Sequence, residues 1–181
     1  TAFFAMRFVS CGLFAFAVAT TARAQSDSCG SATAIGTGAF FGSTVSASND
    51  GSSSCGETTT SNDVWYRYTA TDDGSLQVTT CGSNWDTVLS LHSACPGNAG
   101  NELDCNDDSC NIQSVVGTSM TSGQSVLVRV AGWQGATGAF TLHVSFSSSP
   151  GTDTCANALP VVAGVYVGDT LSASNDGSAD C

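Results

Sequence analysis

The chain repeats itself at a constant offset of 126 residues, and this bounds every other reading of it. Asp27, Cys29, Ala32, Gly38, Gly42, Thr44, the run Ser46 to Ser52 and Cys55 recur as Asp153, Cys155, Ala158, Gly164, Gly168, Thr170, the run Ser172 to Ser178 and Cys181. Of the 30 paired positions between Ser26 and Cys55, 14 are identical. Solenoid units of about 20–45 residues cannot bury a core alone, whereas a period this long is a whole domain in tandem. Residues 25–150 are therefore expected to form one complete unit, with 151–181 the truncated start of a second copy.

The opening 24 residues read as a cleaved signal peptide. Arg7 precedes the apolar or small run Phe8 to Thr20, and Ala22-Arg23-Ala24 presents small residues at a cleavage position. That run is too short for a membrane span of about 20 residues. Export to the extracellular space or the cell surface follows, with no membrane insertion. The sequence holds 15 acidic residues against four basic ones, and two of those four, Arg7 and Arg23, lie in the leader. A formal net charge of −11 excludes nucleic acid as a partner, because phosphate recognition needs clustered Lys and Arg.

Setting aside Cys11 in the leader, eight cysteines remain, an even count behind an export signal. Such a pattern implies disulfides. Zinc is disfavoured by the lack of a CxxC pair and by histidines placed away from the cysteines. The partial copy holds only the counterparts of Cys29 and Cys55, which suggests Cys29–Cys55 with Cys155–Cys181 as its copy. The others are then expected as Cys95–Cys105, closing a loop around Pro96-Gly97, and Cys81–Cys110.

Period-two alternation recurs after residue 25, and the 3.6-residue period of an amphipathic helix does not. Phe140, Leu142, Val144 and Phe146 share one face; so do Val126, Val128 and Val130, and Val64, Tyr66 and Tyr68. Leu76 with Val78, and Leu89 with Leu91, mark further strands, and Ala39 to Phe41 and Thr44 to Ala47 complete the set. Turn signals such as Asp72-Asp73-Gly74, Pro96-Gly97-Asn98 and Ser122-Gly123 separate them. The expected fold is all-β: an antiparallel β-sandwich of jelly-roll type with eight to nine strands, stapled by disulfides.

An ordered series of segments carries a family resemblance. Asp63-Val64-Trp65-Tyr66-Arg67-Tyr68-Thr69-Ala70 is followed by Gly74-Ser75-Leu76, then Asp86 to Leu91, Glu102 to Asp108, Ser122-Gly123-Gln124 and Thr137 to Leu142. This order resembles the bacterial pre-peptidase C-terminal domain, in a cysteine-rich variety found as tandem copies. The resemblance implies a non-catalytic β-sandwich appended to secreted peptidases and other exported enzymes, some of whose relatives bind calcium, collagen or polysaccharide.

Asp104, Asn106 and Asp108 offer alternate oxygens to a hard cation such as calcium, with Asp107 beside them. Asp86 could join them if Cys81–Cys110 draws its loop close. The loop departs from an EF-hand, because Ser109 stands at the turn glycine and Val115 at the bidentate glutamate. Asn49-Asp50-Gly51, repeated as Asn175-Asp176-Gly177, reads as a tight turn in which Asn and Gly accept positive φ. Trp133, in a glycine-rich loop, is the candidate contact for a sugar or peptide, whereas Trp65 and Trp85 read as packing. The elbow G-x-S-x-G and the zinc motif H-E-x-x-H are both absent, and no carboxylate pair stands out for acid–base chemistry. The chain is thus expected to be a non-catalytic module of a tandem array, serving adhesion, substrate binding or spacing. Its partners would be polysaccharide or extracellular protein, besides neighbouring copies of itself. The alternative is an accessory domain of a secreted peptidase or other hydrolase.

Overall fold

The computed structural model describes residues 25–148; the expected leader, the second copy and Cys155–Cys181 lie outside the described residues. Nine strands form two sheets: β1 Thr33–Ile35, β2 Gly38–Ser43, β3 Val64–Thr69, β4 Gly74–Thr79, β5 Thr87–His92, β6 Glu102–Asn106, β7 Val115–Met120, β8 Ser125–Gly132 and β9 Ala139–Ser148. One sheet runs β2-β9-β4-β7 and the other β1-β3-β8-β5-β6. The order of β2 to β9 is that of a jelly roll, in which the chain passes between sheets at every step except the β5–β6 hairpin. All these pairs are antiparallel. β1 departs from expectation by lying parallel to β3, Thr33 opposite Tyr66 and Ile35 opposite Tyr68. The chain runs down beside β3 before it crosses to the other sheet as β2. No strand forms over Thr44 to Ala47, which instead opens a long irregular segment, residues 44–63.

Alternation sends one face of each sheet inward. Val64, Tyr66 and Tyr68 stand opposite Val130, Val128 and Val126 in register. With Leu89 and Leu91 they pack against Leu76, Val78, Val116, Met120, Phe140, Leu142 and Val144 of the facing sheet. The outward face of the five-stranded sheet is closed as well. Trp65 and Arg129, paired across β3 and β8, are both fully buried there.

Segment 44–63 forms the cover. Arg129 Nε donates to Asp63 Oδ2 at 2.6 Å, Nη1 to Thr58 Oγ1 at 2.9 Å, and Nη2 to the carbonyls of Gly51 and Thr58 at 3.0 and 3.1 Å. Trp65 Nε1 donates to Asp50 Oδ1 at 2.5 Å, and the backbone N–H of Cys29 donates to Asp50 Oδ2 at 2.8 Å. Asp27 takes the N–H and hydroxyl of Ser48. Asn49-Asp50-Gly51 is therefore no tight turn: none of the three has positive φ. Gly51 is required by close approach, since a Cβ there would stand 2.5 Å from Trp65 Cζ2. The identities shared with the partial copy thus include Asp27, Cys29, Ser48, Asp50 and Gly51, all parts of this cover.

Two expected bridges are corrected. Cys29 pairs with Cys95, and Cys55 with Cys105, in place of Cys29–Cys55 and Cys95–Cys105; Cys81–Cys110 is present. Cys29 packs beside Trp65 on the outward face, where the β5–β6 connection folds back and lays Gly97 against the same indole. Segment 44–63 carries Cys55 across the sheet to β6, where Glu102 accepts the N–H of Ser54 at 2.9 Å. The spacing that Cys29 and Cys55 share with Cys155 and Cys181 in the sequence does not make Cys29 and Cys55 partners.

Candidate metal centre and its rim

One end of the sandwich gathers the connections β4–β5, β6–β7 and β8–β9. Thr80 N–H donates to the Ser114 carbonyl at 3.0 Å, Thr87 N–H to the Ile112 carbonyl at 3.1 Å, and Ser114 Oγ to the Asp107 carbonyl at 2.8 Å. The Cys81–Cys110 bridge joins the same two loops. Backbone, hydroxyl and disulfide together bring Asp86 against Asp107 and Asp108.

A carboxylate oxygen from each of Asp86, Asp107 and Asp108 lies within 4.8 Å of the other two. Oδ1 of Asp86 and Oδ1 of Asp107 are buried without a hydrogen-bond partner. Neither loop contains Lys or Arg, and Arg129 is committed to Asp63. Burial pushes the Asp86 carboxyl above the ordinary carboxylate range, and Asp108 pushes it further. Burial also raises Asp107, with Asp86 and then Asp108 adding repulsion. Such a set of hard oxygens without a protein cation fits a hard divalent ion.

The other two expected ligands do different work. Asp104 and Asn106 alternate along β6 and share one side of it, facing the edge of β7. Asp104 Oδ2 accepts Gly117 N–H at 2.8 Å, and Asn106 Oδ1 accepts Val115 N–H at 2.9 Å. They stitch β6 of one sheet to β7 of the other and satisfy edge groups that would otherwise be open. Asp104 and Asn106 lie in a strand and not in the expected loop, and there alternate residues become a zip.

Trp133 is 41% exposed, and its main-chain N–H donates to the Asp86 carbonyl at 3.4 Å, beside the loops of the acidic cluster. Beneath it, Trp85 packs against Gly132 and Gly138 and donates Nε1–H to the Ala139 carbonyl at 2.8 Å. Gln134, at φ 47°, bonds Glu57 through its side chain at 2.7 Å. Among the described residues, the non-glycine residues with positive φ are Glu57, Asn111 and Gln134; the last two lie in connections at this end, and Glu57 meets Gln134 from segment 44–63.

One other constellation has the order nucleophile, base and orienter. Ser90 Oγ lies 2.8 Å from His92 Nε2, and His92 Nδ1 lies 3.1 Å from Asn101 Oδ1. Ser90 is 1% and His92 0% exposed, closed over by Gly97 and Trp65, so no substrate reaches them. Burial lowers the His92 pKa, against the opposing effects of Asn101 and Glu102.

Two solved structures are similar at low identity. The pre-peptidase C-terminal domain of a collagenase from Bacillus anthracis is 14% identical, with a TM-score of 0.40, covering 63% of this chain and 94% of its own. A periplasmic inhibitor of g-type lysozyme from Aeromonas hydrophila is 15% identical, with a TM-score of 0.41, covering 64% and 96%. Likenesses of this size carry no weight for function. No curated protein matches the sequence. The family model for a T9SS-associated galactose binding domain-like module matches residues 25–144, which include every strand but the last residues of β9. The chain therefore belongs to the galactose binding domain-like family.

Proposed function

We propose that residues 25–150 form a non-catalytic, exported carbohydrate-binding module, one copy of a tandem array, whose acidic end holds a calcium ion. Family membership supports the carbohydrate reading. The observation that carries the proposal is the set of three clustered carboxylates, two of whose oxygens are buried and unpartnered. Asp86, Asp107 and Asp108 would hold the ion, which when bound supplies the positive charge these loops lack. Asp86 belongs to the β4–β5 connection and the other two to the β6–β7 connection, so the ion would lock both loops beyond what the Cys81–Cys110 bridge achieves. Three crossed disulfides suit an oxidising extracellular compartment.

Thermal unfolding of the full chain in millimolar calcium and in chelator tests the ion. A rise in Tm with calcium, abolished in Asp86→Asn and Asp107→Asn, is the expected result. Equal melting in both conditions would sink the calcium reading. Retention on an immobilised glycan array tests the carbohydrate reading, and absence of retention on every glycan would sink that one.

A further inference from the structure

We infer that β2 is a docking edge for a second copy of this chain: two copies pair β2 to β2, antiparallel, and join their four-stranded sheets into one. The end of β2 fixes which way its main-chain groups point. Thr44 N–H donates to the Gly138 carbonyl at 3.0 Å, on the β9 side. Ser43 N–H instead donates to Gln25 Oε1 at 2.7 Å, and the Ser43 carbonyl accepts from Gln25 Nε2, on the side away from β9. Successive residues of a strand send their N–H and C=O to alternate sides, so Phe41 and Ala39 point theirs outward with Ser43. The Gln25 amide fills the first place on this open ladder as the peptide group of a strand would. Among the described residues, none fills the next two.

The other three sheet edges are closed, charged or short. β7 receives Asp104 and Asn106 on its N–H groups, β6 carries Glu102 and Asp104, and β1 has three residues. β2 has neither charge nor proline, the devices that keep an edge from pairing. Ala39 is exposed on it, and Phe41 is 65% exposed. Charge selects the occupant. With 15 acidic residues against four basic ones, copies of this chain repel over most of their surface. No charged residue stands between Asp27 and Asp50, and the strands β2, β9, β4 and β7 contain no Asp, Glu, Lys or Arg. Two β2 edges therefore meet without opposing carboxylates. The counterpart in the second copy, Gly164-Val165-Tyr166-Val167-Gly168, differs at every position between its glycines and is uncharged as well. Centred on Phe40, the pairing sets Ala39 of one copy opposite Phe41 of the other, and each such pair exchanges both main-chain hydrogen bonds.

The test is sedimentation of the full chain over a concentration series, joined to residue-resolved amide exchange. Expected is a monomer–dimer equilibrium whose dissociation constant rises at least about tenfold in Phe41→Glu and in Ala39→Lys. Combining the two substitutions should restore the dimer, because this register sets the introduced charges opposite each other. Both positions are exposed, so each variant should melt as the wild type does. Exchange of the Ala39 and Phe41 amides should slow as concentration rises. A chain that stays monomeric throughout, a dimer indifferent to the single substitutions, or exchange at Ala39 and Phe41 that ignores concentration would overturn the inference.

Discussion

Two groups of aspartates in this domain meet opposite fates. Under segment 44–63, Asp63 and Asp50 are enclosed with Arg129 and Trp65, and their charge is answered by donors of the protein itself. At the acidic end, Asp86, Asp107 and Asp108 lie close together in loops that hold no Lys or Arg, and two of their oxygens have no donor. Burying a carboxylate is costly unless it is paired, so the first group is an internal fixture. The second has no such answer among the described residues, and a calcium ion is what we propose supplies it.

The contrast can be broken most forcefully at its closed side. Arg129→Ala would leave Asp63 buried without a counter-charge and is expected to cost about 3–5 kcal/mol in denaturant unfolding. Asp108→Ala, measured without calcium, should cost nothing or stabilise slightly, because it removes repulsion. Comparable losses from the two variants would erase the distinction. Calcium at about a hundredfold over its Kd should add about 2.7 kcal/mol to the wild-type chain and nothing to Asp107→Asn.

Gly51→Ala should cost about 1–3 kcal/mol, since the added methyl meets the Trp65 ring. Its unfolding should stay equally responsive to calcium, which would show that the cover and the acidic end are independent. The smallest effect is in pH. In chelator, the raised Asp86 and Asp107 pKa values mean that their contribution is fully present below the ordinary aspartate value of about 3.9 and is lost as pH rises through the folded values. The calcium-induced rise in Tm should accordingly be largest near pH ~7 and shrink towards pH ~4. A rise that is constant over that range would remove these two carboxyls from the site.

The sandwich was legible because alternation is a local property. Val64, Tyr66 and Tyr68 face inward as their spacing demands, and so do Val126, Val128 and Val130. What misled was anything decided by a distant segment. Trp65 sits at an outward position of β3 and is nonetheless buried, because residues 44–63 lie over it. Asn49-Asp50-Gly51 has turn composition, yet its glycine answers to an indole 14 residues away. Asp104 and Asn106 had ligand spacing but folded as strand, so their oxygens reached β7 instead of an ion. Asp86 could be placed near Asp107 and Asp108 only by supposing the Cys81–Cys110 bridge, the one pairing whose expected partners meet in the structure.

The connectivity of the bridges sets a constraint on time as well as on shape. Taken in chain order, the six cysteines of the described unit join first to fourth, second to fifth and third to sixth. Every bridge crosses the other two, and neighbours never pair. A chain delivered N-terminus first must therefore keep Cys29, Cys55 and Cys81 unspent until Cys95 appears, 66 residues after the first of them. Oxidation that outruns delivery would join Cys29 to Cys55, the pairing that the repeat itself suggests and that the finished domain forbids. In the described unit, the thiols have to wait for the sheets.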